Sequence, residues 1–465
     1  MNFISTRGEA PPASFLEAVL DGLAPDGGLY VPEHWPQVSH ADIAGFAGRP
    51  YAEVAADLIA RFTGDQLTRS ELAQMCAEAY ASFDHAAVAP LTQLTPGGFL
   101  LELFHGPTLA FKDVAMQLLA RLYDHALARQ RRRLTVVCAT SGDTGGAAVE
   151  AFRGRANVRV VALFPEGRIS EVQRRFMTTA DEANVACLAV AGTFDDCQAM
   201  LKAMFRDAQF ARAVDLSGVN SINFARIAAQ IVYYFTAAAA LGAPRRSVAF
   251  ATPTGNFGDA YAGYAAHRMG LPIERILVAV NANDMLARAL ASGRYERGAV
   301  TPTSSPAMDI QAASNFERYY FECVGRDPVE TTSAFEAFGA GDAIDIPAKA
   351  HRAMTALMAG GSVSEREAAD TILATLNQTG ALIDPHTAVA LAVATRTGPD
   401  DPSTPMITLA TAHPAKFPEA VRRAAGVDPV RPASIRRVAD RPERAQRIGA
   451  DVEAAKAAIR TFAAA

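Results

Sequence analysis

Paired cysteines are missing from this chain. Its five cysteines, Cys76, Cys138, Cys187, Cys197 and Cys323, are an odd number with no CxxC spacing. That argues against a disulfide framework and a zinc site, and fits reduced thiols in a cytoplasmic protein. Basic charge is also sparse in runs. No block exceeds Arg131–Arg133, and the net charge is −5. Nucleic acid is therefore not expected as the main partner, although a small anion needs only a local site. There is no Walker lysine motif and no GxGxxG dinucleotide spacing. The start, MNFISTRGEAPPASF, lacks the basic and then apolar order of a signal peptide. The longest uncharged run, Ile227 to Pro244, only reaches the lower limit for a membrane span. It contains Gln230 and Thr236 and closes on Gly242 and Pro244, so a buried core helix is expected.

Half of the 465 residues are hydrophobic and a fifth are charged, enough for a large core. Residues 1–95 read as a mainly helical N-terminal segment, with capping-box spacing at Ser14 to Glu17 and Thr68 to Glu71. From Phe99 onward, short apolar or β-branched runs alternate with helical ones. FLLELF, RLTVVCAT, VRVVALFP, NVACLAVAG, RSVAFATPT, ERILVAVNAN and TPMITLATAH each precede a helical pattern. Such alternation predicts an α/β region with largely parallel sheets over 96–430. Its ligands bind beyond the carboxyl ends of the strands. Residues near 295–365 break the alternation and read as a loop-rich insertion or an active-site cover. Residues 431–465 read as a tail and a surface helix.

One lysine is out of place. Lys112 in HGPTLAFKDVAMQ follows Phe111 and precedes, after Asp113, the apolar Val114, Ala115 and Met116. Lysine is almost never buried without a partner. Three strand-to-helix turns suggest what the partner is. PTGNFGDA, Pro253 to Ala260, offers glycines and a helix N-terminus to a phosphate, with no Lys or Arg from Ser247 to His267. ATSGDTGGAAVEAF offers Ser141, Gly142, Asp143 and Thr144 to a carboxylate, or simply a helix cap. LATAHPAKF places the Thr411 hydroxyl at a strand end, where it could meet a ring nitrogen or local backbone. A reactive lysine, a phosphate pocket and a partner for a pyridine nitrogen together match the needs of pyridoxal 5'-phosphate.

These motifs, in this order, resemble the threonine synthase family. The likeness covers nearly the whole chain: STRG and GLAPDGGLYVPE, then HGPTLAFKDVAMQ, SGDTGGAA, VNSINFARI, PTGNFGD and TAHPAKF. The long N-terminal segment resembles the bacterial and fungal branch. The resemblance implies a fold-type II pyridoxal-phosphate enzyme, α/β with parallel-type sheets and an N-terminal helical segment, related to the tryptophan synthase β subunit. It implies that Lys112 is the catalytic lysine that carries the cofactor. Gly255, Asn256, Phe257, Gly258 and Asp259 would form the cofactor phosphate loop, and Thr411 would meet the pyridine nitrogen. Asp143 would lie near the phenolic oxygen, where many fold relatives have Asn. Ser141 and Thr144, with Asp143, would hold the substrate carboxylate. Candidates for the substrate phosphate are Asn220, Asn223, Arg226, Arg168 and Lys416. The implied reaction takes O-phospho-L-homoserine and water to L-threonine and phosphate. A phospho-lyase releasing 2-oxobutyrate and a non-catalytic binder of a phosphometabolite are the alternatives. The enzyme is expected to be a cytoplasmic monomer that uses no metal and binds neither nucleic acid nor membrane.

Overall fold

All seven apolar runs become strands in the computed structural model, which describes residues 1–464. They sort into two sheets. The larger has the order Met358–Ser362, Ile273–Val280, Val248–Pro253, Met406–Ala410, Gly98–Glu102, Leu91–Gln93, and only the last strand is antiparallel. The smaller runs Gln446–Gly449, Val185–Ala191, Val158–Pro165, Leu134–Ala139, Leu216–Ser217, and every pair is parallel. In each sheet the chain steps outward on one side and later returns on the other. The reversals fall at Val248–Pro253 with Met406–Ala410, and at Leu134–Ala139. Such switch points open a crevice beyond the strand ends, and the three glycine- and hydroxyl-rich turns leave from these strands.

The uncharged run is the helix Phe224–Ala240, buried along almost its whole length. Apart from Arg226 and Gln230, which line the cleft, it is largely apolar because it lies between helices. Lys112–Gln130, Gly258–Arg268 and Tyr51–Thr63 all pack on it. Among the described residues no helix is long and apolar enough to cross a membrane. Phe224, at its first turn, gathers the N-terminal segment. Phe3, Phe62 and Trp35 lie with ring centroids 4.8, 5.5 and 6.5 Å from it. Both expected capping boxes form, with Ser14 N donating to Glu17 Oε2 and Thr68 N to Glu71 Oε2, each at 2.8 Å.

Three stretches hold more structure than their patterns suggested. Residues 1–95 contain four helices but also an antiparallel sheet of Ala13–Ser14, Asn2–Ser5 and Tyr30–Pro32. Strands of two to four residues carry no legible alternation. Residues 295–365 are loop only at first. Thr301 to Asp309 is tied down by Asn281 Nδ2, which donates to Thr303, Ser305 and Asp309, and by Asn283 Nδ2, which donates to Thr301 O. Helices Phe316–Cys323, Pro328–Ala340 and Ala348–Thr355 follow. Asp327 caps the second through the amides of Val329 and Glu330, a start signal hidden among loop-like residues. The tail adds the strand Gln446–Gly449, which extends the smaller sheet although only Ile448 in it is buried. Pairing with Val185–Ala191, not its own pattern, makes it a strand.

The aromatic cluster yields a stability prediction. Phe224→Ala should cost about 3–5 kcal/mol, as large buried truncations do. Chemical denaturation measures the loss, and limited proteolysis should cut first within the N-terminal segment.

Candidate active site

Lys112 is where the sequence fragments converge. It is the first residue of the helix Lys112–Gln130 and is 9 % exposed. The turn before it is fixed by its own residues. Asp113 accepts from Thr108 N at 2.8 Å and Thr108 Oγ1 at 2.7 Å. A Cβ on Gly106 would meet Asp113 Cβ at 2.4 Å, so only glycine fits there. Burial pushes the Asp113 carboxyl up to about 6 despite the two bonds from Thr108. The turn is then stitched to the end of Met406–Ala410. Phe111 N donates to Thr411 O at 2.8 Å and His413 N to Leu109 O at 3.1 Å. Two segments some 300 positions apart thus bring Thr411 beside Lys112.

The amine meets one carboxylate, from the other sheet. Lys112 Nζ lies 3.6 Å from Asp143 Oδ2, and Lys416 Nζ lies 2.6 Å from Asp143 Oδ1. Gln173 Nε2 donates to Oδ1 at 3.0 Å. Burial alone would raise the Asp143 pKa, but Lys416 and Lys112 outweigh it and hold the carboxyl well below the usual range. For Lys112 burial wins: its pKa is lowered, with Asp143 opposing. The Asp143 turn is itself ordered. Thr140 Oγ1 takes the amides of Gly142 at 2.9 Å and Gly145 at 2.8 Å. Helix geometry leaves the amides of Asp143 and Thr144 without an intrahelical acceptor. Ser141 and Thr144 line the same cleft.

The glycine turn forms the opposite wall. A Cβ on Gly255 would meet Ala307 O at 2.4 Å, so the backbone here is closed in by the Pro306–Met308 turn. Phe257 adopts a left-handed φ of 64° and buries its ring against Phe316 and Tyr319; its side chain anchors the loop while Gly255, Asn256, Gly258 and Asp259 line the cleft. Burial pushes the Asp259 carboxyl up to about 6. The loop has no cation of its own, but the neighbouring helix Phe224–Ala240 brings Arg226. That residue is 3 % exposed and lines the cleft. Its Nη1 donates to Val219 O at 3.2 Å, and its Nε has no partner among the described residues. Burial lowers its pKa to about 10, with Asp259 opposing. A buried guanidinium with an unused donor calls for an anion.

The cleft, about 1800 Å³, takes in most of the expected residues but not in equal roles. Asn220 and Arg168 are exposed on its walls. Asn223 is spent on structure: Nδ2 donates to Val19 O at 2.7 Å and to the Tyr123 hydroxyl, while Oδ1 caps its helix through Ala225 N. Lys416, 1 % exposed, is taken up by Asp143 and is not free for a phosphate. Two neighbours were not foreseen. Gln173 is the capping partner of Ser170 and also reaches Asp143. His386 lines the cleft with Nδ1 at 2.7 Å from the buried Asp384 and Nε2 facing Ala307 N at 3.4 Å. DPHT reads as a helix start, and nothing local reveals that the ring reaches the cleft.

These residues fit pyridoxal phosphate: a buried amine, a backbone cradle that a side chain would fill, a buried guanidinium with one unused donor and a hydroxyl at a strand end. The comparisons agree. Residues 2–80 match the family model "Threonine synthase N terminus", 90–345 match "Pyridoxal-phosphate dependent enzyme", and 387–459 match "Threonine synthase, C-terminal". The chain is similar to a threonine synthase of Pseudomonas aeruginosa, 47% identical over 96% of this chain and 95% of the relative. A PLP-bound threonine synthase structure from Brucella melitensis matches with a TM-score of 0.97 and 49% identity over 100% of both chains. The yeast threonine synthase structure matches at 0.94 and 36%, covering 100% of this chain and 99% of that one.

The cradle can be tested directly. Gly255→Val must displace the Ala307 carbonyl and fill the space beside the loop. Spectroscopic titration of apoprotein should show cofactor affinity falling at least about tenfold, roughly the loss of one hydrogen bond. Unchanged affinity would move the phosphate elsewhere.

Proposed function

This chain belongs to the threonine synthase family, and from that premise we infer how its residues turn O-phospho-L-homoserine and water into L-threonine and phosphate by γ-elimination and β-addition. Its cofactor is pyridoxal 5'-phosphate, which when bound supplies an electron sink for charge on the substrate carbons. The observation that carries the residue assignments is the buried Lys112 amine at the meeting point of the carboxylate cradle, the glycine loop and Thr411.

Lys112 holds the cofactor and is the base for the protons of Cα and its neighbours, because it lies beside them by construction. Its lowered pKa keeps more of the amine neutral, and so basic, near neutral pH. Ser141, Thr144 and the first-turn amides of their helix bind the substrate carboxylate. Thr411 would meet the ring nitrogen with a neutral hydroxyl, which would leave that nitrogen less charged than an acid partner would. The backbone amides of the loop Gly255, Asn256, Phe257, Gly258 and Asp259 would hold the cofactor phosphate. Raised to about 6, the Asp259 carboxyl opposes that anion less as the pH falls. Arg226, with Asn220 and Arg168 at the mouth, takes the substrate phosphate. Holding the substrate at carboxylate, amine and phosphate keeps it oriented through successive proton transfers. The turn around Ala307 limits access of water before elimination. The same reading has the chain act as a cytoplasmic monomer on a small molecule. Its net charge of −5 without a basic block supports no nucleic-acid role.

Incubation of pure enzyme with phosphohomoserine, followed by mass spectrometry, should give threonine and equimolar phosphate. Dominance of 2-oxobutyrate and ammonia would replace the synthase with the lyase. Borohydride should fix the cofactor on Lys112 and on no other lysine. Arg226→Met should raise KM for phosphohomoserine about tenfold to a hundredfold, the value of a charge-assisted bond. It should also erode selectivity over homoserine, since donors built for a phosphate are otherwise left unpaired.

A further inference from the structure

Lys416 has no place in the reaction as described so far, yet it is among the most completely buried charged groups of the protein, 1 % exposed. It follows the strand Met406–Ala410 of the larger sheet, within the short turn Pro414–Lys416. Its partner, Asp143, follows Leu134–Ala139 of the smaller sheet. The contact of 2.6 Å therefore crosses from one sheet to the other, and Asp143 reaches on to Lys112 at 3.6 Å. We propose that Lys416 is a positioning residue: it is the fixed counter-ion that holds the Asp143 carboxylate in place and shares its charge, so that Lys112 meets only part of that charge.

The proposal rests on the reading that Lys112 carries the cofactor. Its logic is a charge count. The groups facing the Lys112 amine are Asp143, Lys416, Arg226 and Asp259, from four different elements. Lys416 itself faces Asp143 and Asp113, with the Phe176 ring 5.9 Å from its Nζ. Without Lys416, Asp143 would be a buried anion whose only cationic neighbour is Lys112. A tight pair would then form, and the amine would hold its proton too firmly to act as a base. With Lys416 in place, Asp143 keeps its charge and its geometry while Lys112 stays free to change protonation state. Gln173, donating to the same Oδ1 at 3.0 Å, fixes the carboxylate plane.

The test is a pH titration of the visible band of the holoenzyme. Lys416→Met removes the charge and keeps the bulk. The midpoint at which the lysine-linked cofactor loses its proton should rise by about one pH unit or more, the size a charge within a few ångströms produces. Asp143→Asn should move it the other way. Thermal denaturation confirms that the variants are folded. If Lys416→Met does not accumulate, Lys416→Gln, which keeps a donor for Asp143 but no charge, is read in the same way. An unchanged or lowered midpoint overturns the proposal. So does an unmoved midpoint with a raised KM, which would make Lys416 a phosphate ligand instead. Absence of any band in the wild-type holoenzyme, or borohydride labelling away from Lys112, would defeat the parent reading and this proposal with it, whereas an unmoved midpoint in a labelled holoenzyme defeats this proposal alone.

Discussion

A lysine amine enclosed by protein must be paired, neutral or covalently used, because an isolated buried cation is far too costly. Lys112 satisfies this constraint with groups from both sheets, and the arrangement of the cleft follows from it. Its turn is anchored to the strand end that carries Thr411. Its carboxylate comes from the switch point of the smaller sheet. That carboxylate is shared with a second buried lysine. The two sheets are thus joined across the cleft by an ion cluster whose members all sit at strand-to-helix turns. Loops held at such ends can be precise because the strands behind them are fixed by parallel pairing.

Charge is distributed along the cleft with a consistent sense. Near Asp143 two amines share one acid. Near the glycine loop a single buried guanidinium retains an unused donor, and burial leaves the adjacent acid only partly ionised near its value of about 6. The first end suits a group whose proton must come and go. The second suits a fixed anion. On the proposed reading the loop's backbone amides would take the cofactor phosphate, and Arg226, with Asn220 and Arg168, the phosphate that leaves from the substrate, without a lysine in the loop.

The Thr301 to Asp309 segment, which borders the cleft, is held by polar side chains. Asn281, Asn283, Thr303 and Asp309 knot the Thr301 to Asp309 segment, and His386, oriented by Asp384, faces the Ala307 amide. Such a segment keeps its shape through hydrogen bonds while Pro302, Pro306, Ala307 and Met308 line the cleft.

Much of this was legible in the chain itself. Strand–turn–helix alternation sets period and order locally, so the seven strands and their parallel class could be read without a structure. Lys112 stood out because a lysine contradicts its apolar neighbours, and the glycine and hydroxyl turns because backbone chemistry demands those residue types. Two- to four-residue strands, such as Gln446–Gly449, were not legible, since only a partner strand defines them. Nor could spacing separate Arg226, which opens on the cleft, from Asn223 three positions earlier, whose amide is spent on Val19, Tyr123 and its own helix. Lys416 looked like a phosphate ligand and is the counter-ion of Asp143, more than 270 positions away in the sequence. Local pattern determines which residues can do chemistry. Burial and long-range charge pairing, which exist only once the two sheets face each other, decide which of them remain free to do it.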